Sequence, residues 1–118
     1  FFMDTIGDRV LFEVDQATLT PTAETILAAQ AQWLMANPAF TAVVEGHADE
    51  RGTREYNLGL SDRRAAAART YLVAQGVAPN RVMTVFFGKE RPVEICSVES
   101  CFAANRRAVT VLRAGPGV

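Results

Sequence analysis

The sequence predicts an α+β domain of two layers, with helices on one face of a mixed four-stranded sheet. Strand and helix signals alternate along the chain, and a loop with room for a short extra helix precedes the last strand, giving β-α-β-α-β-(α)-β. Two helical connections imply that some strands pair in parallel. A chain of 118 residues is long enough for one hydrophobic core, so we expect residues 1–118 to form a single domain.

The first strand and the first helix each have local signals. Apolar residues alternate in segment 10–14 (VLFEV), which predicts a short strand. Thr20 is a good helix N-cap, and Pro21 suits the first helical position. Asn37-Pro38 should end this helix. Between these limits apolar residues recur at helical spacing, namely Ala23, Ile26, Leu27, Ala31 and Leu34.

The second strand and the second helix follow. Residues 40–44 (FTAVV) are typical of a buried strand, which continues into Glu45. Gly52 indicates a turn, Thr53 an N-cap, and Gly76 the stop after the helix. We expect an apolar ridge to pack this helix on the core, formed by Tyr56, Leu60, Ala67 and Tyr71, with Leu72 beside it.

The last third of the chain supplies two more strands. Residues 81–87 predict a third strand, and residues 88–92 a turn. Residues 108–112 predict the final strand. The segment between them contains both cysteines.

Composition excludes several classes of protein. The hydrophobic fraction of 49% and the charged fraction of 21% are ordinary for a globular domain. A formal charge of −1 argues against nucleic-acid binding, which usually needs a basic excess. No apolar run approaches the roughly 18 residues of a membrane-spanning helix. The chain starts at Phe1, so we expect it to be a trimmed or mature fragment.

Cys96 and Cys101 lie five positions apart in CSVESC. A metal site needs three or four ligands, and the chain has one histidine. A local disulfide is the simplest interpretation and would contribute roughly 2 kcal/mol before strain. It implies an oxidising compartment, whereas two free thiols would fit a reducing one.

Charged and polar residues are concentrated in the run from Glu45 to Ala65. Asp49 follows the second strand, and Asn57, Ser61 and Arg64 share one face of the second helix, distinct from the apolar ridge. A carboxylate and a guanidinium held apart across a small pocket would suit a zwitterionic ligand. The spacing fits a direct structural ion pair between Asp49 and Arg64 equally well.

The segments VVEGHADERGTREYN, LSDRRA and NRRAV resemble the OmpA-like, peptidoglycan-binding domain family. The HADERGT variant is most similar to the branch formed by the peptidoglycan-associated lipoproteins (Pal) of Gram-negative bacteria. Phe12 in VLFEVD, the Leu19-Thr20-Pro21 helix start and the GKE segment with Pro92 agree with it. The resemblance covers essentially the whole chain.

The resemblance implies a ligand and the residues that bind it. Asp49 matches the family acid that binds the ammonium group of meso-diaminopimelate, an amino acid of the peptidoglycan peptide stem. Arg64 matches the arginine that binds the carboxylate of the same group. Asn57 matches an asparagine beside the pocket, and Leu60 and Phe12 match positions that line it.

The resemblance also implies a cellular role without catalysis or cofactor. The domain would tether the outer membrane to the cell wall from its periplasmic face, through a lipid anchor upstream of Phe1. TolB and other components of the Tol–Pal system, which acts in envelope integrity and cell division, would be its protein partners. The periplasmic domain of an outer-membrane porin or of a flagellar motor stator shares the fold and is an alternative.

A hydrolase is the contrasting hypothesis. His47, Asp49 and Glu50 superficially resemble a metal or acid–base cluster, but no second ligand motif accompanies them. Neighbouring carboxylates in an extended segment point apart, which is poor geometry for cleaving a glycosidic bond. Arg106 and Arg107 should point to opposite faces of the last strand, and the sequence does not assign either a role.

Overall fold

A computed structural model describes residues 6–49, 51–90 and 99–114, without the side chains of Ser100 and Cys101. In chain order the elements are β1 (Arg9–Leu11), α1 (Pro21–Ala36), β2 (Phe40–Gly46), α2 (Arg54–Ala74), a 3₁₀ turn (Pro79–Arg81), β3 (Val82–Phe86), α3 (Glu99–Asn105) and β4 (Arg107–Ala114). The predicted order of elements is confirmed, and α3 is the optional short helix.

The described strands form one mixed sheet in the order β1-β4-β2-β3. β2 and β3 are parallel, and α2 supplies the crossover that a parallel pair needs, while β4 runs antiparallel to both β1 and β2. The predicted four-stranded mixed sheet is therefore confirmed. This order places the ends of β1 and β2 on either side of the start of β4.

The hydrophobic core lies between the sheet and helices α1 and α2. It is built from both helices and from alternate strand residues, including Leu27, Leu34, Val44, Leu72 and Ala108. On the other face of the sheet Leu11, Met83 and Val111 are exposed. The arrangement with α1 and α2 on one face is therefore confirmed. No helix in the described segments is both long and apolar enough to cross a bilayer.

The first strand is shorter than predicted. β1 ends at Leu11, and Val14 is exposed. Phe12 still bonds to the sheet through its N–H, which donates to the Arg106 carbonyl at 2.8 Å. The chain then leaves the sheet, and Asp15 adopts a positive φ of 56°. The alternation in 10–14 predicts too long a strand, because the loop after Phe12 is held by contacts with α2 and not by a neighbouring strand.

Local signals set the ends of the long helices as predicted. The Thr20 hydroxyl accepts a hydrogen bond from the Ala23 N–H, and the Thr53 hydroxyl accepts one from the Tyr56 N–H, each at 3.1 Å. Gly76 follows α2 with a φ of 119°, which favours glycine.

The predicted ridge of α2 is wrong in part. Leu60 and Leu72 are buried, but Tyr56 is 43% exposed. Ala67 and Tyr71 are only partly buried. The face against the sheet includes polar residues: Asn57, Leu60, Ser61, Arg64, Ala65, Ala68 and Leu72. The polar and apolar residues of α2 therefore share one face. The helix can pack this way because Gly46 of β2 has no side chain, and a Cβ there would overlap the Ser61 carbonyl.

Candidate ligand-binding site

A cavity of about 280 Å³ lies between the loop after β1, the end of β2 and the first turns of α2. Its lining residues are Val14, Asp15, Asp49, Arg51, Gly52, Tyr56, Asn57, Leu60 and Arg64. Four of the five predicted site residues, namely Asp49, Asn57, Leu60 and Arg64, thus border one cavity. The fifth, Phe12, lies behind it.

Arg64 forms the floor of the cavity and is completely buried. Its guanidinium donates to three backbone carbonyls: Nε to Gln16 at 2.9 Å, Nη1 to His47 at 3.1 Å and Nη2 to Glu13 at 3.1 Å. The Phe12 ring centroid lies 5.2 Å from the guanidinium carbon, which is a cation–π contact. Burial lowers the pKa of Arg64 to about 10, which leaves it charged at neutral pH.

Asp49 is nearly buried at the end of β2 and has two arginine partners. Oδ1 accepts the Arg51 backbone N–H at 3.0 Å, and Oδ2 accepts Arg51 Nη2 at 2.7 Å and Arg106 Nη1 at 3.3 Å. Burial alone would raise the pKa of this carboxyl. The hydrogen bonds from Arg51 and Arg106 outweigh burial and hold the pKa of Asp49 below its usual value.

The two opposite charges do not pair with each other. Within the described residues the ion pairs of Asp49 are to Arg51 and Arg106, and Arg64 bonds only backbone carbonyls. The alternative of a direct structural salt bridge between Asp49 and Arg64 is therefore wrong for this structure. The cavity keeps a carboxylate and a guanidinium apart, as a zwitterionic ligand would require.

Of the two polar residues placed between the charges, Asn57 borders the cavity and Ser61 does not. Asn57 donates from Nδ2 to the Arg51 carbonyl at 2.6 Å and so holds the loop that carries Arg51. Ser61 does not border the cavity, because its hydroxyl donates to the Leu58 carbonyl and accepts from the Gly88 N–H. Leu60 supplies an apolar wall and is 3% exposed.

Tyr56, Arg51 and Asp15 are site residues that the sequence prediction missed. The Tyr56 hydroxyl donates to Asp15 Oδ1 at 3.2 Å across the mouth of the cavity. The helical spacing of Tyr56 to Leu60 predicts a core position, but the same spacing also fits the rim of a pocket. The position of Arg51 could have been predicted from the sequence. It follows Asp49 by two residues, and residues two apart in an extended segment point to the same side.

The remaining sequence candidates lie elsewhere. The His47 ring stacks on Phe87 at 5.3 Å between centroids, and its Nε2 lies 3.2 Å from Glu45 Oε1. Only the His47 carbonyl reaches the site. In the described residues no group of three or more His, Cys, Asp or Glu side chains is placed to hold a metal ion. Glu50 and the predicted Cys96–Cys101 disulfide fall outside what the structure describes.

Residues 11–107 match the OmpA family. The chain belongs to the OmpA family. It is 57% identical over 111 residues to a peptidoglycan-associated lipoprotein of Mesorhizobium japonicum and 50% identical to one of Brucella melitensis. Both alignments cover 94% of this chain and 66% of the relative. The chain therefore spans slightly less than two thirds of these relatives.

Solved structures agree with this assignment. The crystal structure of the peptidoglycan-associated lipoprotein from Burkholderia pseudomallei has a TM-score of 0.89 and 34% identity, covering 94% of this chain and 96% of that one. The C-terminal domain of Helicobacter pylori MotB has a TM-score of 0.84 at 17% identity, covering 91% of this chain and 84% of that one. At that identity the second match shows a shared fold alone. The predicted OmpA-like fold is confirmed.

Proposed function

We propose that this domain binds peptidoglycan non-covalently, through the zwitterionic end of meso-diaminopimelate in the peptide stem. The observation that carries the proposal is the separation of Asp49 and Arg64 within one cavity, each held by other partners. A ligand that brings an ammonium group and a carboxylate on one carbon matches two fixed charges of opposite sign.

The ammonium group belongs at Asp49. Its carboxylate is ionised at neutral pH and lies at the edge of the cavity beside Arg51. Arg51 is 43% exposed at its side chain, and its guanidinium also lies over the Phe102 ring at 4.3 Å and 3.6 Å from Glu99 Oε1. It therefore keeps two other partners when an ammonium group takes its place at Asp49. An ion pair with a nearly buried carboxylate is stronger than one at the surface.

The carboxylate belongs at Arg64. A guanidinium has five N–H donors, and three of them are used by backbone carbonyls in the described structure. The two that remain are one on each terminal nitrogen, which is the number that a bidentate carboxylate needs. Because Arg64 is fully buried, loop 13–16 must yield slightly for the carboxylate to reach these donors.

Charge balance favours a zwitterion over a simple ion. The described charges that interact around the cavity are three arginines and three carboxylates: Arg51, Arg64, Arg106, Asp15, Asp49 and Glu99. A zwitterionic group leaves this balance unchanged. A ligand with one net charge would have to be buried against a balanced set, which costs desolvation energy without compensation.

The cellular role follows from the same ligand. A lipid anchor upstream would hold the protein at the periplasmic face of the outer membrane, and many weak contacts with the wall would add by multivalency. TolB and other Tol–Pal components are the proposed partners, with a role in envelope integrity and cell division. The relatives named peptidoglycan-associated lipoprotein support this assignment over a porin or flagellar stator. The domain acts as a tether and has no catalytic step.

Calorimetric titration with two muropeptides tests the proposal. We expect binding of the diaminopimelate peptide and at least roughly tenfold weaker binding of the matched lysine peptide, which lacks the second carboxylate. Asp49→Asn should abolish binding, whereas Asp62→Asn, an exposed change on α2, should not alter it. Equal affinity for the two peptides would refute the role of Arg64, and stoichiometric zinc in the purified domain would instead favour the hydrolase.

A further inference from the structure

Arg106 connects three parts of the fold at the back of the cavity. Nε donates to the Phe12 carbonyl at 2.8 Å, Nη1 donates to Asp49 Oδ2 at 3.3 Å, and Nη2 donates to Glu99 Oε2 at 2.7 Å. These partners lie just after β1, just after β2 and at the start of α3. Arg106 itself immediately precedes β4, so one side chain joins all of these elements.

The direction of this side chain is fixed by the backbone. The Phe12 N–H donates to the Arg106 carbonyl at 2.8 Å, and Arg106 Nε returns a bond to the Phe12 carbonyl. This two-way contact turns Arg106 toward the cavity. Arg107 points to the other face of the sheet, where Leu11 is its partner in the register. The two neighbouring arginines, which the sequence left undecided, therefore have different surroundings.

The two arginines that hold Asp49 differ in exposure. The Arg106 side chain is 8% exposed, whereas that of Arg51 is 43% exposed. An incoming ammonium group can compete with Arg51 from the solvent side. It cannot reach Arg106, because that guanidinium lies behind the carboxylate and is also bonded to Phe12.

We propose that Arg106 is a positioning residue for Asp49, which fixes the direction of the carboxylate and keeps it charged while a ligand exchanges with Arg51. This inference rests on the proposed function, in which Asp49 binds the ammonium group. A carboxylate held from behind by a rigid guanidinium keeps its outer lone pairs directed into the cavity. Such positioning reduces the ordering cost of binding.

The charged groups around Asp49 determine how the pKa of its carboxyl will respond to a substitution. Arg51 and Arg106 contact it directly, and Arg64 acts on it from α2. Among the described residues, Glu99 of α3 and Asp15 of the loop after β1 are the nearby carboxylates. Removal of Arg106 leaves the like charge of Glu99 without its main partner, so the pKa of Asp49 should rise.

The test compares Arg106→Gln and Arg106→Lys with Arg107→Gln, a control at an equally buried arginine on the other face. The Asp49 carboxyl is titrated by carbon NMR in the ligand-free domain. Arg106→Gln should raise the pKa of Asp49, move the acid limit of peptide binding to higher pH and weaken binding at pH 7 roughly tenfold. For Arg106→Lys, the pKa of Asp49 and the affinity should lie between those of Arg106→Gln and wild type. Arg107→Gln should leave the titration of Asp49 unchanged.

An unchanged pKa of Asp49 in both Arg106 variants would overturn the proposal, because a purely structural residue would lower binding equally at every pH. If Arg106→Gln does not fold, the wild-type protein decides: the Nη–Hη signals of Arg106, whose Nη1 contacts Asp49, should shift as the Asp49 carboxyl is protonated, and signals that do not follow it overturn the proposal. If Asp49→Asn binds the peptide normally, the proposed function fails while the ligand-free titration still tests Arg106.

Discussion

Arg64 donates a hydrogen bond to the backbone carbonyl of His47, two residues before Asp49, at 3.1 Å. The guanidinium at the floor of the cavity therefore also holds the segment that presents the opposite charge. The proposed binding geometry and the fold depend on the same side chain, and this relationship determines how we expect variants of the site to behave.

Arg64→Ala should destabilise the domain and not merely reduce binding. The change leaves three backbone carbonyls without their donor in a fully buried place, which should cost about 3 kcal/mol or more. Urea unfolding measures the loss. Arg63→Ala, at the exposed neighbour, should stay within about 0.5 kcal/mol of wild type. A fully stable Arg64→Ala protein would show that the carbonyl contacts contribute little.

Asp49 should make stability depend on pH on the acid side. Its pKa is lowered in the folded protein, so its ionised form favours folding above the unfolded pKa of about 4. This contribution is lost as the pH falls through the folded pKa. Urea unfolding between pH 2 and 6 should show a smaller decline for Asp49→Asn than for wild type. Identical slopes in the two proteins would contradict the lowered pKa.

Gly46→Ala should destabilise the domain and disturb the cavity. The new Cβ would overlap the Ser61 carbonyl, which is backbone and cannot move without shifting α2. We expect a loss of about 1–3 kcal/mol or more, measured by thermal and urea unfolding.

Gly59→Ala is the matched control for that change. Gly59 lies within α2, and the nearest contact of an added Cβ is the Arg63 guanidinium at 3.4 Å, the end of a flexible exposed side chain. Alanine should therefore stabilise the helix by about 0.5–1 kcal/mol. If both glycine variants lose stability equally, close packing at Gly46 is not the cause.

Cys96 and Cys101 should form a disulfide in the protein purified without reductant. Thiol titration in denaturant is expected to find no free thiol before reduction and two after it. Reduction should lower stability by roughly 2 kcal/mol. Detection of two free thiols in the unreduced protein would refute the pairing and remove the argument for an oxidising compartment.

The order of elements could be predicted because its signals are local. Thr20, Thr53 and Gly76 mark helix ends through contacts within one turn of the chain. Residues 40–44 form a central strand because every residue there is aromatic or β-branched, except the apolar Ala42. None of these predictions depends on which helices and strands pack against each other.

The cavity wall could be predicted only in part, because its contacts are distant in sequence. Arg64 bonds Glu13 and Gln16, which hydrophobic periodicity cannot detect, so a buried arginine was placed on a separate face from the core. Tyr56 has the helical spacing of a core residue, so periodicity predicts it in the core although it lies at the rim of the cavity. Spacing predicts Asp49 and Arg64 across one pocket or as an ion pair, and the resemblance implies their ligand roles. Nothing in the spacing indicates that Arg106 contacts Asp49.

The three carbonyl bonds of Arg64 have an evolutionary consequence. A binding site built from dispensable surface residues can be lost gradually, one neutral change at a time. Here the substitution that removes the floor of the cavity also removes donors that the fold needs. A descendant of this protein that no longer bound the proposed ligand would therefore be expected to retain Arg64, and with it the floor of the cavity.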